Sequence, residues 1–238
     1  MFIWNEDMIR FLRDASEHCD YHHLLAEYLV KRLPENAHVC DAGCGLGYLS
    51  LQLAPYCRQV TAVDVSPEAL AVLAANCDKE KIKNVDIRCG EIAELPPDEP
   101  YDAMVFCFFG TGNEALRIAK EQCCGPVIII KKGWSEHRFS LGKQKMGHES
   151  YTDTMALLDG YGIPHTGETL TLEMGQPFRS LTDACRFFEI YERSGAAVTE
   201  EAVRARLTAT GDTEFPWYLP QPKVMGIIRL DSRDIPEL

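Results

Sequence analysis

Short apolar runs alternate with amphipathic stretches over residues 38–132. Runs rich in Val, Ile, Phe and Cys, bounded by polar or turn-forming residues, are typical of buried strands. Five such runs follow one another: His38–Ala42, Val60–Asp64, Val85–Cys89, Asp102–Phe108 and Pro126–Lys131. The stretches between them have the length of crossover helices, roughly 8–14 residues. Because strand–helix–strand units with right-handed crossovers build parallel sheets, the pattern predicts a doubly wound, mostly parallel α/β sheet with helices on both faces.

The first 37 residues have a different pattern, that of an amphipathic helix. Leu25, Leu29 and Leu33 recur at steps of four, with Tyr28 beside them, and form an apolar stripe. Pro34 ends this pattern because proline lacks the amide hydrogen that a helix interior needs. The segment therefore predicts a helical cover that packs on the sheet.

After Lys132 the alternation stops. Residues 133–150 are polar, and the glycines among them favour a loop or an inserted cap. The pattern further downstream predicts helices over Tyr151–Tyr161, Ser180–Arg193 and Thr199–Thr208, and strands over Glu168–Met174 and Lys223–Leu230. We expect a single domain over 1–238, divided by pattern into 1–37, 38–132, 133–222 and a last strand at 223–230.

The composition is that of a globular chain with an acidic surface. Apolar residues make up 46% and charged residues 25% of the 238 positions, which excludes a disordered chain. Asp and Glu number 36 against 24 Lys and Arg, so the formal net charge is −12. Because such a surface repels phosphate backbones, we do not expect a nucleic-acid partner. No apolar run is long enough for a bilayer and no signal peptide is visible, so we expect a cytoplasmic protein without membrane contact.

Ten cysteines raise the question of metal or disulfide chemistry. No two of them are separated by two residues, the spacing usual in zinc and iron–sulfur sites. Cys40, Cys89 and Cys107 lie inside apolar runs, where a thiol behaves as a small apolar side chain. We therefore expect reduced, mostly buried thiols and no metal site. A redox role for the adjacent Cys123 and Cys124 is the open alternative.

A glycine-rich loop between the first strand and the next helix carries the candidate chemistry. The segment 39–50 reads VCDAGCGLGYLS, with glycines at 43, 45 and 47. Glycines allow a tight turn and the close approach of a ligand, and the helix start behind them offers free N–H groups. A dinucleotide site requires G-x-G-x-x-G, but Tyr48 stands where its third glycine would be. Asp41, two residues before the first glycine, instead favours a ligand that bears an ammonium group.

This acid-x-G-x-G-x-G loop resembles the first motif of the class I S-adenosylmethionine-dependent methyltransferases. Val60–Asp64 is similar to the second strand of that family, whose terminal acid binds both ribose hydroxyls. Glu91 and Ile92 occupy the place of the residues that contact the adenine. Over residues 37–132 the resemblance implies S-adenosyl-L-methionine as the cofactor and S-adenosyl-L-homocysteine as the product. It also implies a seven-stranded sheet of order 3-2-1-4-5-7-6 with the last strand antiparallel, an N-terminal helix, and a lid after the fifth strand.

The resemblance implies a set of cofactor-binding residues, which comprises Tyr21, Asp41, Ala42, Gly43, Cys44, Gly45, Gly47, Asp64, Val65, Glu91, Ile92 and Phe106. For Asp41 and Asp64, the capping of neighbouring backbone N–H groups is the alternative interpretation. Trp4 and His23, in the N-terminal cover, are further candidates for contact with the cofactor, against an ordinary surface position.

Residues that orient or deprotonate a methyl acceptor are expected near the polar segment and the N-terminal cover, since histidine titrates near neutral pH. The candidates are His22, His137, His148, Tyr151 and Asp153. The resemblance implies an in-line displacement, and the acidic charge favours a small-molecule acceptor. A protein or RNA acceptor, and a non-catalytic protein that binds the same cofactor, are the alternatives.

Overall fold

The computed structural model describes residues 4–133, 137–145, 147 and 149–237. The strands in this part of the chain are β1 His38–Ala42, β2 Gln59–Asp64, β3 Val85–Cys89, β4 Ala103–Cys107, β5 Pro126–Lys132, β6 His165–Glu173, β7 Gln176–Phe178, β8 Thr208–Ala209, β9 Trp217–Leu219 and β10 Pro222–Asp231. Its α-helices are α1 Glu6–His18, α2 Tyr21–Val30, α3 Tyr48–Leu53, α4 Pro67–Glu80, α5 Gly112–Gln122, α6 Tyr151–Tyr161, α7 Leu181–Tyr191 and α8 Glu200–Arg204.

Seven strands form the main sheet, in the order β3-β2-β1-β4-β5-β10-β6. The strands β1 to β5 are parallel, and β10 is antiparallel to both β5 and β6. The carboxyl ends of the parallel strands therefore meet at one edge of the sheet, together with the amino end of β10. The prediction of a last strand inserted antiparallel between the fifth and the sixth is confirmed.

Local sequence signals determine where the crossover helices begin. Ser66 caps α4 by accepting a hydrogen bond from the N–H of Ala69, and Pro67 takes the first helical position. Thr111 and Glu114 form a capping box at the start of α5. Residues 127–130 of β5 are fully buried, because helices cover the sheet on both sides. This burial explains why the parallel strands are continuous apolar runs.

The two faces of the sheet have separate helical covers. Leu29 of α2 shares a buried cluster with Ile128 of β5 on one face. Leu158 of α6 packs on the other face, in the cluster that contains Ile129. The side chains of neighbouring residues in β5 thus serve opposite layers, as the alternation of a strand requires.

The N-terminal cover consists of two helices, where the sequence predicts one. The break lies between α1 and α2, at Cys19 and Asp20, and Cys19 has an extended backbone conformation. Phe11 of α1 is buried in a cluster apart from the sheet, whereas Leu29 of α2 packs on the sheet. Since the two helices bury their apolar sides in different places, one straight helix cannot serve both.

A small antiparallel sheet, β7-β9-β8, adjoins the main one and was not predicted. The predicted helix over Thr199–Thr208 is wrong in its second half, because α8 ends at Arg204 and Thr208 pairs with Tyr218. Strands of two or three residues are too short to show an alternating pattern. This sheet, α1 and α7 enclose an aromatic cluster around Phe187.

The segment after β5, predicted as a loop or an inserted cap, is anchored in its described part. Phe139 packs into the cluster around Phe187, and Ser140 is buried. The Leu141 N–H donates to Glu192 at 2.5 Å, and the Gly142 N–H donates to Ser194 at 3.1 Å. Apolar packing and hydrogen bonds to the chain after α7 thus anchor this part of the polar segment.

The cysteine thiols are all free of disulfides. Cys40 is buried as predicted, but Cys89 is exposed, because β3 is the edge strand of the sheet. Cys123 is buried while Cys124 is exposed, so the adjacent pair faces two environments. Among the described residues, none of the helices has both the length and the apolar character needed to cross a membrane.

Candidate functional site

The glycine loop after β1 has the backbone that its sequence predicts. Gly43, Gly45 and Gly47 have φ values of +69°, +55° and +73°, in the left-handed region where a side chain is strained. A Cβ atom on Gly43 would overlap the ring of Phe109, and one on Gly47 would overlap Leu73. Both close approaches therefore require glycine, and the loop lies tightly against its neighbours.

Asp41 lies beneath this loop with only 1% of its surface exposed. One carboxylate oxygen accepts a hydrogen bond of 2.6 Å from the hydroxyl of Ser50. Burial raises the pKa of Asp41 from 3.8 to about 6, although the Ser50 hydrogen bond acts in the opposite direction. The site therefore holds a buried carboxyl whose charged form gains from a nearby cation.

Asp64 ends β2 and holds the loop from the other side. Its two oxygens accept the backbone N–H groups of Gly45, at 2.8 Å, and of Ser66, at 2.9 Å. The capping interpretation is therefore observed directly. Each carboxylate oxygen has a second lone pair, so capping leaves acceptor capacity for ribose hydroxyls.

A small cavity of about 30 Å³ lies beside Asp64. Six of its lining residues lie at the carboxyl ends of β2 and β3 or just after them: Val63, Asp64, Val65, Gly90, Glu91 and Ile92. Gly43 and Phe109 complete it. The predicted contact residues at 64, 65, 91 and 92 are thus brought together.

Phe106 and Ala42 were predicted to contact the cofactor but lie in the buried core instead. Ala42 and Phe106 are partners in the β1–β4 pairing. The ring of Phe109, 6.3 Å from that of Phe106, lies above it and lines the cavity. The sequence places several aromatic residues at the end of this strand. The burial of the strand decides that the ring of Phe109, and not that of Phe106, reaches the cavity.

A second cavity of about 150 Å³ adjoins the first and shares Gly43 with it. It is lined by Leu12, Tyr21, His22, Asp41, Gly43, Cys44, Gly45, Leu46, Gly47, Tyr48, Leu49, Cys107, Phe108, Met174 and Lys223. The loop thus separates a cavity with the Asp64 carboxylate from one with the Asp41 carboxylate.

The N-terminal cover contributes directly to this second cavity. The hydroxyl of Tyr21 donates to Sδ of Met225 at 2.9 Å. The His22 ring stacks on Tyr48 at 5.5 Å, and burial lowers the pKa of His22 to about 3. His22 is therefore a neutral side chain in the wall. Trp4 also lies at the loop, 3.2 Å from where a Cβ of Gly45 would be, whereas His23 is exposed and faces Gln52.

Lys223, at the start of β10, is a cavity residue that the sequence analysis missed. Its Nζ lies 4.1 Å from the ring centroid of Phe108 and 4.7 Å from that of Tyr21. Burial, with the charges of Arg138 and Lys132, lowers the pKa of Lys223 to about 7. The only signal was a lysine immediately before an apolar strand.

A third cavity of about 420 Å³ lies at the carboxyl ends of β4 and β5 and shares Phe108 with the second. It is lined by Phe108, Gly110, Thr111, Glu114, Lys131, Lys132 and Glu149. Lys131 donates to the carbonyl oxygen of Gly110 at 2.6 Å. Three adjoining cavities therefore follow the carboxyl edge of the sheet.

Of the catalytic candidates after β5, those that the structure describes do not line these cavities. Asp153 forms the capping box of α6 with Ser150, and the ring of Tyr151 packs over Gly226 on the sheet. His137 bonds to Ser140 at 2.9 Å and lines a separate cavity that includes Arg138. His148 lies outside the described residues. Helix capping and sheet packing account for Asp153 and Tyr151.

The strand order, the inserted antiparallel strand and the acid-flanked glycine loop define the Rossmann-like fold of class I methyltransferases. Residues 39–124 match the family model described as a methyltransferase domain. Residues 39–124 are therefore similar to the methyltransferase domain of class I S-adenosylmethionine-dependent enzymes.

Similar proteins extend over parts of the chain. A ubiquinone biosynthesis O-methyltransferase of Xylella fastidiosa is 38% identical over 81 residues, 33% of this chain and 32% of that protein. A malonyl-[acyl-carrier protein] O-methyltransferase of Bacillus cereus is 31% identical over 87 residues, 35% of this chain and 31% of that protein. The chain thus spans about a third of the length of these relatives. The YcgJ protein of Bacillus subtilis has the same fold, with a TM-score of 0.57 at 15% identity over 88% of this chain and 98% of that one.

Proposed function

We propose that the chain transfers the methyl group of S-adenosylmethionine to a small-molecule acceptor. The observation that carries this proposal is the pair of cavities that meet at Gly43, one with Asp64 and the other with Asp41. A nucleoside that carries an amino acid on its ribose needs hydrogen-bond acceptors for the ribose hydroxyls at one end. At the other end it needs an anion for its ammonium group. The two carboxylates on either side of the loop match these needs.

The residues fit this cofactor on physical grounds. Asp41 is buried and forms no ion pair with another described residue, so a bound ammonium group stabilises its charged form. Glu91 and Ile92 lie across the small cavity from Gly43, where they would hold the adenine. Asp64 keeps the loop in place through Gly45 and would accept the ribose hydroxyls.

The protein's contribution to the reaction is then alignment and exclusion of water. The sulfonium, when bound, supplies an activated methyl group. Tyr21, His22 and Tyr48 form an aromatic wall on the side of the N-terminal cover and shield the second cavity. Neutral His22, whose pKa is far below 7, adds no cation that would repel the sulfonium.

A small acceptor is favoured by the third cavity, which lies next to the second and has the size of a small-molecule site. The net charge of −12 works against docking of a nucleic acid. The names of the two relatives above differ in what they indicate, ubiquinone biosynthesis for one and a malonyl-[acyl-carrier protein] for the other. The choice of a small acceptor therefore rests on the third cavity and the net charge.

The proposal is tested in two steps. Calorimetry with S-adenosylhomocysteine should give a one-to-one complex. Methyl-labelled S-adenosylmethionine, incubated with the protein and a cell extract, should place label in the fraction that passes a small-pore filter. Label retained with protein or RNA would contradict a small acceptor. Binding without any transfer would support a non-catalytic binding protein instead.

A further inference from the structure

Lys223 is a charged side chain in a largely apolar setting within the second cavity. The rings of Phe108 and Tyr21 face its ammonium group, and Sδ of Met174 is 3.5 Å from Nζ. Lys223 is only partly exposed to solvent. No carboxylate of the described residues lies within ion-pair distance of it. A cation in such a place is stable only when an anion or a strong acceptor joins it.

The charged neighbours of Lys223 are themselves cations. Lys132 and Arg138 act on it, and Lys131 and Arg138 act on Lys132. This concentration of positive charge stands out in a chain of net charge −12. Cations that are held together lower one another's pKa by repulsion, and a bound anion offsets that repulsion.

Lys223 lies in the part of the second cavity that adjoins the third. Lys223 starts β10, which lies beyond β4 and β5 from the glycine loop. Its contact ring, Phe108, is shared between the second cavity and the third, which is lined by Lys132. Asp41 lines the second cavity together with Lys223, so the cofactor's carboxylate is the competing source of the anion, and calorimetry distinguishes the two sources.

We propose that Lys223, supported by Lys132, binds a carboxylate or phosphate group of the methyl acceptor, so that the acceptor is an organic anion. The proposal rests on the proposed function, because the acceptor is defined by it. It names the charge class of the acceptor, which the methyltransferase fold leaves open.

The test follows the lysine ε-CH2 signals by NMR in protein that carries ¹³C-labelled lysine and saturating S-adenosylhomocysteine. The Lys223 signal is assigned by its loss in Lys223→Met and in Lys223→Arg, so one folded variant suffices. Acetate and inorganic phosphate are the probes. Either anion should shift this signal at millimolar concentration and raise the pKa of Lys223, because a neighbouring anion favours the charged amine. The exposed Lys83 is the matched control and should not respond.

Calorimetry distinguishes the source of the anion. Lys223→Met should change the affinities for S-adenosylhomocysteine and for 5′-methylthioadenosine, which lacks the amino-acid part, by the same factor. A loss of about tenfold or more for S-adenosylhomocysteine alone would assign Lys223 to the cofactor's carboxylate and overturn the proposal. If neither anion shifts the Lys223 signal, the proposal for Lys223 is overturned as well. Formation of the complex with S-adenosylhomocysteine in that experiment would still support the proposed function. Failure of S-adenosylhomocysteine to bind would overturn both.

Discussion

At the scale of single residues, the buried carboxyl of Asp41 connects cofactor binding to pH. The pKa of Asp41 is about 6 because burial disfavours its charged form. If the cofactor's ammonium group binds there, Asp41 must lose its proton on binding below that pH. We expect the affinity for S-adenosylhomocysteine to be constant above about pH 7 and to fall by up to about tenfold per pH unit below pH 6.

Calorimetry from pH 5 to pH 8 measures this dependence. Asp41→Asn, which keeps the shape and an acceptor for Ser50, should bind more weakly and without the slope. The same carboxyl lowers stability as pH rises from about 4 to 6, since the folded state holds the proton more tightly than the unfolded chain. An unchanged slope in Asp41→Asn would remove Asp41 from the ammonium site.

Asp64 is the second residue whose role can be isolated. Asp64→Ala should weaken binding of S-adenosylmethionine by roughly one to two orders of magnitude, through the loss of charge-assisted bonds to hydroxyls. The substitution also removes the acceptor of the Gly45 and Ser66 N–H groups, so the loop loses a support. Ser66→Ala is the control, because it keeps the backbone N–H that Asp64 accepts and removes only the hydroxyl that caps α4.

Calorimetry on folded Asp64→Ala and Ser66→Ala decides the matter. Thermal unfolding should show a lower midpoint temperature for both variants, whereas only Asp64→Ala should have a lower affinity for S-adenosylmethionine. Equal loss of affinity in the two would mean that the loss follows from disturbed structure at the start of α4 and not from lost bonds to the ribose.

At the scale of elements, the capping box at the start of α6 explains why the catalytic candidate Asp153 does not line the site. Ser150 and Asp153 satisfy each other's backbone N–H groups at this helix end. Ser150→Ala should lower the free energy of unfolding by about 1 kcal/mol, the usual cost of a lost cap. Asp153→Asn should leave the rate of methyl transfer unchanged. Urea unfolding and the labelled-methyl assay measure the two, and a large fall in the rate for Asp153→Asn at unchanged stability would restore its catalytic role.

Elements with a strong periodic pattern were predictable almost to the residue. β1, β3 and α6 have the predicted bounds, because β1 is a buried apolar run, β3 alternates apolar and polar residues, and α6 begins at a capping box. β8 was not predictable because two residues show no pattern, and the break between α1 and α2 was not predictable because it depends on which core each helix meets.

At the scale of the whole molecule, the aromatic cluster around Phe187 links the polar segment to α7. The N–H groups of Leu141 and Gly142 bond to Glu192 and Ser194, and Phe139 packs beside them. We expect these two amides to exchange slowly with solvent in the absence of ligand. Phe139→Ala should speed their exchange, because the aromatic packing that holds the segment is lost.

Hydrogen exchange with mass spectrometry checks this expectation, with the affinity for S-adenosylhomocysteine as the control. That affinity should stay within about threefold, a change under ~1 kcal/mol, because Phe139 does not line the cofactor cavities. Fast exchange in the unaltered protein that slows only with ligand would instead support the predicted lid.

The sequence by itself determined the alternation of strands and helices, the glycine loop and the pair of acids beside it, whereas the order of the sheet followed from the family resemblance. These features are local: the φ values of Gly43 to Gly47 and the acids at strand ends depend on residues close in the chain. Only the tertiary structure decided which side chains share a cavity with them. Lys223 reaches Tyr21 because β10 inserts beside β5, which brings together residues about two hundred positions apart. Such contacts depend on the packing of whole layers, and no spacing within the sequence encodes it.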